Sequence, residues 1–112
     1  MPLNAIYANL ACSDLARSRD WYGMLFDRDP DASPMEGLLE WHHERKAGFQ
    51  LFEQPDRAGH GTATLIVSDL TEERERLARS GIDIAEIEQG DAVRILRLSD
   101  PDDNLVVLAE PA

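Results

Sequence analysis

The sequence predicts an α+β fold in which two β-α-β-β-β modules build a curved, largely antiparallel sheet around a cleft, with helices covering the opposite face. Three observations predict it. A passage of strand, Ser-Asp-Leu and helix occurs twice: a shift of 55 residues lays Ala8, Leu10, Ser13, Asp14, Leu15 and Arg19 on Ala63, Leu65, Ser68, Asp69, Leu70 and Arg74. Each passage is followed by short runs of strand-forming residues broken by turn residues. The length, 112 residues with 43% hydrophobic, suits one domain spanning residues 1–112, with module one at about 1–55 and module two at about 60–112.

In module one, the pattern of residues 5–12 suits a strand. Ser13 and Asp14 then offer an N-cap, and Leu15, Trp21 with Tyr22, and Leu25 with Phe26 recur near helical spacing. A poor strand is expected around Arg28 to Ser33, and better ones at Leu38–His42 and Gly48–Glu53, with Glu44 to Ala47 as their turn. In module two, residues 62–67 form the first strand, and Ser68-Asp69 caps a helix that Gly81 ends. Ile82 to Glu88 and Ala92 to Leu98 flank a turn at Gln89-Gly90-Asp91. Asp100 to Asp103 read as turn chemistry, Asn104 to Ala109 as the last strand, and Pro111 as its stop. The run Glu72-Glu73-Arg74-Glu75-Arg76 reads as a solvated helix face.

Composition excludes several function classes. Eleven Lys and Arg against 22 Asp and Glu leave a net charge of −11, which repels nucleic-acid phosphates and anionic membrane surfaces alike. The same charge suits a cationic ligand, although acidity is first a device for solubility. Cys12 is the only cysteine, so neither an intrachain disulfide nor a four-thiolate zinc site is available. Apolar runs such as Leu105 to Ala109 are far shorter than the ~20 residues of a membrane span. Met1-Pro2-Leu3-Asn4 has no basic or long apolar stretch, so no secretory leader is expected and the cytoplasm is the expected compartment.

The opening strand, Ser-Asp-Leu and a helix carrying Trp21-Tyr22 and Leu25-Phe26 resemble the start of vicinal oxygen chelate proteins. That superfamily includes glyoxalase I, extradiol dioxygenases, and fosfomycin and bleomycin resistance proteins. Asp100-Pro101-Asp102-Asp103-Asn104 resembles its closing Asp-Pro-Asp-Gly-Asn loop, with Asp103 in place of the usual glycine and Glu110-Pro111 as the family's terminal Glu-Pro. The resemblance implies a divalent-metal site with ligands on the first and last strands of each module. Carried onto this sequence, those positions are Tyr7, Thr62, Val107, and Gln50 or Phe52. A phenol, a hydroxyl and an alkyl group do not make the imidazole and carboxylate set that such an ion requires. The expectation is therefore no metal, no cofactor and no catalytic residue.

Strand parity supplies a ligand-binding list in place of a metal site. If Tyr7 and Thr62 face the cleft, so do Asn9 and Thr64, with Gln50, Phe52 and Val107 beside them. Phe49 and Leu51 are then core, and Cys12 a buried small hydrophobe. Leu39 and Trp41 share a face, which the polar neighbours Glu40, His42 and His43 place in the cleft. Trp41 and Tyr7 then offer a ligand its largest contact areas. His42 and His43 point to opposite faces of a strand, and His60 lies in a loop between Gly59 and Gly61.

The resulting expectation is a metal-independent small-molecule-binding homodimer, similar to bleomycin resistance proteins, for a cationic or aromatic ligand. One alternative is a divalent-metal lyase or dioxygenase in which His60 or the histidine pair replaces missing ligands. Another is a structural dimer whose cleft is filled by its own side chains.

Overall fold

Both Ser-Asp-Leu passages fold as a strand running into a capped helix. In the computed structural model, which describes residues 1–112, β1 (Ile6–Cys12) leads to α1 (Leu15–Phe26), then β2 (Ala32–Met35), β3 (Leu38–His43) and β4 (Ala47–Glu53). A single 3-10 turn at Pro55–Arg57 links the modules. Then come β5 (Thr62–Ile66), α2 (Leu70–Ser80), β6 (Glu88–Gln89), β7 (Val93–Ser99) and β8 (Leu105–Pro111). Asp14 Oδ1 accepts from Arg17 N at 3.1 Å and Asp69 Oδ1 from Glu72 N at 3.0 Å, the same N-cap used twice. Gly81 closes α2 with φ +92°, a left-handed residue that glycine adopts without a Cβ penalty.

Strands assemble as two four-stranded sheets, in the orders β1-β4-β3-β2 and β5-β8-β7-β6. In each sheet the first and last strands of the module pair parallel and the other pairs are antiparallel. The sheets are separate ladders, one for each of the two expected modules. One hydrophobic cluster runs through both modules, from Leu10, Tyr22 and Trp41 to Leu77, Leu96 and Val106. Arg76 joins the two helices by donating to Met24 O at 2.7 Å and Leu25 O at 2.6 Å, the unpaired carbonyls at the end of α1. This residue is therefore a tether between modules and not part of a solvated face. Both helices thus lie on one side of the sheets, and the opposite sheet faces stay open.

The Asp100–Asn104 loop does more than turn the chain. Asp100 is 3% exposed and Asn104 fully buried. Tyr22 donates its hydroxyl to Asp100 Oδ2 at 2.6 Å, and the amides of Asp102 and Asn104 donate to Oδ1, each at 2.9 Å. Burial and the adjacent Asp100 push the Tyr22 phenol well above its ordinary range, so it remains a donor. Asn104 donates to Ala11 O at 2.9 Å and accepts from Gly59 N and Gly61 N at 3.1 and 3.0 Å. Asp102 accepts from the amide and hydroxyl of Ser13. The loop thereby stitches the end of module two to β1 and α1. Asp103 takes φ +69°, which explains why a glycine suits this position in the motif it resembles.

Three boundaries differ from the sequence expectation. Of Ile82–Glu88, only Glu88 pairs with β7; Ile82 is buried and Ile84 and Ile87 pack on the core without a ladder. The weak strand of module one shifts to Ala32–Met35, and β8 runs through Pro111, opposite Val93. Proline fits there because it lies at the end of the strand.

Candidate functional site

Register decides which side chains reach the open face. β3 and β4 pair with Trp41 opposite Phe49, Leu39 opposite Leu51 and Glu40 opposite Gln50. Directly paired residues point to the same side of a sheet. Trp41 and Leu39 therefore belong with Phe49 and Leu51 under α1, and their expected place in the cleft is corrected. Trp41 is fully buried, with ring centroids 5.4 Å from Phe26 and 6.2 Å from Tyr22 and Phe49. Its Nε1 donates to Arg28 O at 3.0 Å. The open-face residues of β3 are instead Leu38, Glu40 and His42. Sequence reasoning misses Glu40 and His42 because a four-residue turn at Glu44–Ala47 would pair 41 with 50, whereas Ala47 already pairs with His43 and the shorter turn Glu44–Lys46 sets 41 against 49. The polar neighbours of Trp41 marked an exposed face, and it was the face opposite the ring.

The remaining expected ligand residues lie on the open face in two groups. In module one, Asn9 pairs with Gln50, and Tyr7 with Gly48. A Cβ on Gly48 would stand 2.8 Å from the Tyr7 ring, so this glycine lets the phenol ring lie down across β4. The ring meets His42 edge-on at 5.9 Å. A chain of hydrogen bonds crosses three strands: Asn9 Nδ2 donates to Gln50 Oε1 at 3.1 Å, and Gln50 Nε2 to Glu40 Oε2 at 2.7 Å. His42 Nε2 lies 2.9 Å from Glu40 Oε1. The bond from Gln50, then that from His42, holds the Glu40 carboxyl below the usual carboxylate range.

In module two, Thr64 pairs with Val107 and Thr62 with Leu105, and both threonines are exposed. Beside them Arg97 is engaged by Glu88 at 2.9 Å.

A cavity of about 410 Å³ opens on the module-one face, with the half-buried Leu38 and Phe52 as its apolar floor, and Gln50, Gln54 and the exposed Met35, Asn9, Glu36 and Glu53 also lining it. A larger depression of about 500 Å³ lies on the helix side, near Arg19, Asp27 and Arg28. Met24 is its one hydrophobic lining residue, so it lacks the apolar floor that small-molecule sites share.

The residues present do not fit the superfamily's metal. No group of three His, Cys, Asp or Glu side chains converges to hold an ion. Gln50 is committed to Asn9 and Glu40. His43 lies on the closed side with its ring 4.9 Å from Phe26, where burial and then Arg28 lower its pKa. His60 is exposed in the loop whose flanking glycines bond Asn104. Cys12 is fully buried, and burial raises its thiol to about 11, which removes it as a thiolate nucleophile.

Two capped β-α-β-β-β modules with a shared core and an open, partly polar sheet face define a scaffold whose chemistry is set by its open-face side chains. No protein-family model and no curated protein matches the sequence. Among solved structures, a glyoxalase/bleomycin resistance protein from Catenulispora acidiphila superposes with a TM-score of 0.89 at 29% identity, covering 99% of this chain and 100% of that one. TnmS3, an antibiotic binding protein from a Streptomyces species, gives 0.84 at 20% identity over 99% and 98% of the two chains. A lactoylglutathione lyase from Agrobacterium tumefaciens gives 0.77 at 17% over 97% and 94%. The chain has the glyoxalase/bleomycin resistance fold, consistent with the vicinal oxygen chelate superfamily that its motifs resemble.

Proposed function

We propose that this chain is a metal-independent small-molecule-binding protein of the glyoxalase/bleomycin resistance type, taking an aromatic or cationic ligand on its open face. The observation that carries this reading is the module-one cavity, with an apolar floor of Leu38 and Phe52 beside the amides of Asn9 and Gln50. The likeness to an antibiotic binding protein supports it at the level of fold. Tyr7, Thr62, Thr64 and Val107 extend the same face and are proposed as further ligand contacts. Leu39 and Trp41 support the site from beneath. Met35 and Ile66, 65% and 67% exposed, lie at the edge of this surface, and a second copy covering them is the proposed homodimer. No helix is long and apolar enough to cross a membrane; a cytoplasmic location and the absence of nucleic-acid partners are part of the proposal.

The test uses acridone, a neutral aromatic probe, titrated by fluorescence with and without a chelator. Phe52→Ala is expected to weaken binding tenfold or more, since truncating an aromatic anchor commonly costs about 2 kcal/mol. The chelator is expected to change nothing. Loss of binding on chelation, or a stoichiometric divalent ion in the purified protein, overturns metal independence. A light-scattering mass at the chain value of 12.5 kDa overturns the dimer.

A further inference from the structure

Charge on the module-one open face is one-sided. The Glu40 side chain is 12% exposed, yet both of its oxygens face groups without a fixed positive charge, Gln50 and His42. The partly buried carboxylates Asp102, Glu73 and Glu110 each face an arginine instead. The adjoining cavity continues the pattern, with Glu36 and Glu53 in its lining and no lysine, arginine or histidine. Asp100 is also buried without an arginine, but each of its oxygens has two partners, among Tyr22, Asn104 and two backbone amides, whereas each Glu40 oxygen has one. Gln50, itself bonded to Asn9, positions the Glu40 carboxylate on this face.

We propose that Glu40 is the anchor for a positively charged nitrogen of the ligand, an ammonium, amidinium or guanidinium group, while the adjoining apolar floor takes the hydrocarbon part; this rests on the small-molecule reading above. Each carboxylate oxygen has a second lone-pair direction available beyond the bond it already accepts. The edge-on rings of Tyr7 and His42 flank the approach.

The experiment compares two flat tricyclic probes, the cation proflavine and neutral acridone, by fluorescence titration. Proflavine is expected to bind the native protein more tightly. Glu40→Gln, nearly isosteric, is expected to weaken proflavine about tenfold to a hundredfold, the scale of one lost hydrogen bond to a charged group, and to leave acridone within about twofold. Glu40→Asp keeps the charge and retains the preference. Glu72→Gln on α2 removes the same unit of net charge elsewhere and is expected to leave proflavine unchanged. In the unaltered protein, the side-chain carboxyl carbon resonance of Glu40 is expected to shift with proflavine and not with acridone, a readout independent of whether any variant folds.

An unmoved Glu40 resonance overturns the anchor, as do equal losses in Glu40→Gln and Glu72→Gln. If Phe52→Ala weakens both probes while Glu40→Gln weakens neither, the anchor falls and the small-molecule reading stands. If neither probe binds, both fall.

Discussion

The two modules share their closed faces and differ on their open ones. Beneath the helices, Leu10, Leu51 and Leu39 form one row across module one, and Leu65, Leu108 and Leu96 form the equivalent row across module two. The next row reads Ala8, Phe49 and Trp41 in one and Ala63, Val106 and Leu98 in the other. There module one is aromatic because α1 brings Tyr22 down where α2 brings Leu77. On the open side, Asn9, Gln50 and Glu40 correspond to Thr64, Val107 and Arg97. The second set cannot build the hydrogen-bonded chain of the first, because valine interrupts it. Helix packing constrains one face of each sheet to apolar side chains whose volumes fit together. The open face carries no such constraint, and the difference between the halves puts the hydrogen-bonded chain of Asn9, Gln50 and Glu40 in module one alone.

The strongest test of that comparison is truncation at equivalent core positions. Trp41→Ala is expected to cost about 3–5 kcal/mol and Leu98→Ala about 2–5 kcal/mol, both measured as falls in the denaturant midpoint. A Trp41→Ala protein of near-native stability that has lost probe binding would return this ring to the open face and break the assignment.

Asn104 tests how the halves are joined. Its counterpart by register in module one is Ala47, which makes none of its bonds. Asn104→Ala strands Ala11 O and the amides of Gly59 and Gly61, at about 1–3 kcal/mol for each group that stays dry. Chemical denaturation gives the sum, and hydrogen exchange is expected to quicken at the glycine amides first. Unchanged exchange there would show that the stitch is not holding the modules.

Symmetry of the helix starts predicts a smaller, matched pair. Asp14→Ala and Asp69→Ala should each cost about 1 kcal/mol, and the double variant about the sum, since distant sites add. Thermal or denaturant melts decide this; a large excess in the double variant would mean that the helix starts are coupled through the module junction.

The smallest effect is a titration. Because Gln50 and His42 depress the Glu40 carboxyl in the folded chain, their contribution to stability is present above the ordinary carboxylate value of 4.5. It fades as pH falls through the lower folded value. Gln50→Leu is expected to raise the Glu40 midpoint, read from its carboxyl carbon resonance, and to narrow its stability deficit against the native protein in acid. An unmoved midpoint would remove the chain that distinguishes module one.

Much of this was legible in the sequence for local reasons. Caps at Asp14 and Asp69, the glycine stop at Gly81 and the alternation within β1 and β5 depend on neighbours along the chain, and the repeated passage displayed them twice. Tyr7, Asn9, Gln50 and Phe52 were placed by the same alternation. The face of β3 depends on its pairing with β4 more than on the character of its neighbours, so Leu39 and Trp41 take the closed side and Glu40 and His42 the open one. Asp100 and Arg76 looked like a turn residue and a solvated charge because their partners, Tyr22 and the end of α1, are 78 and 51–52 residues away.

What the sequence by itself determined, then, is the duplicated module, its helix starts and the two-residue alternation of its strands, because each follows from interactions within a few residues. Which alternate of β3 turns toward α1 was decided only by tertiary structure. Pairing with β4 forces Trp41 to the side of Phe49, and burying an indole beside three aromatic rings outweighs the exposure of Glu40 and His42 on the other side. The join between modules was decided there too, since a buried carboxyl and amide acquire their roles from the donors and acceptors that folding brings to them.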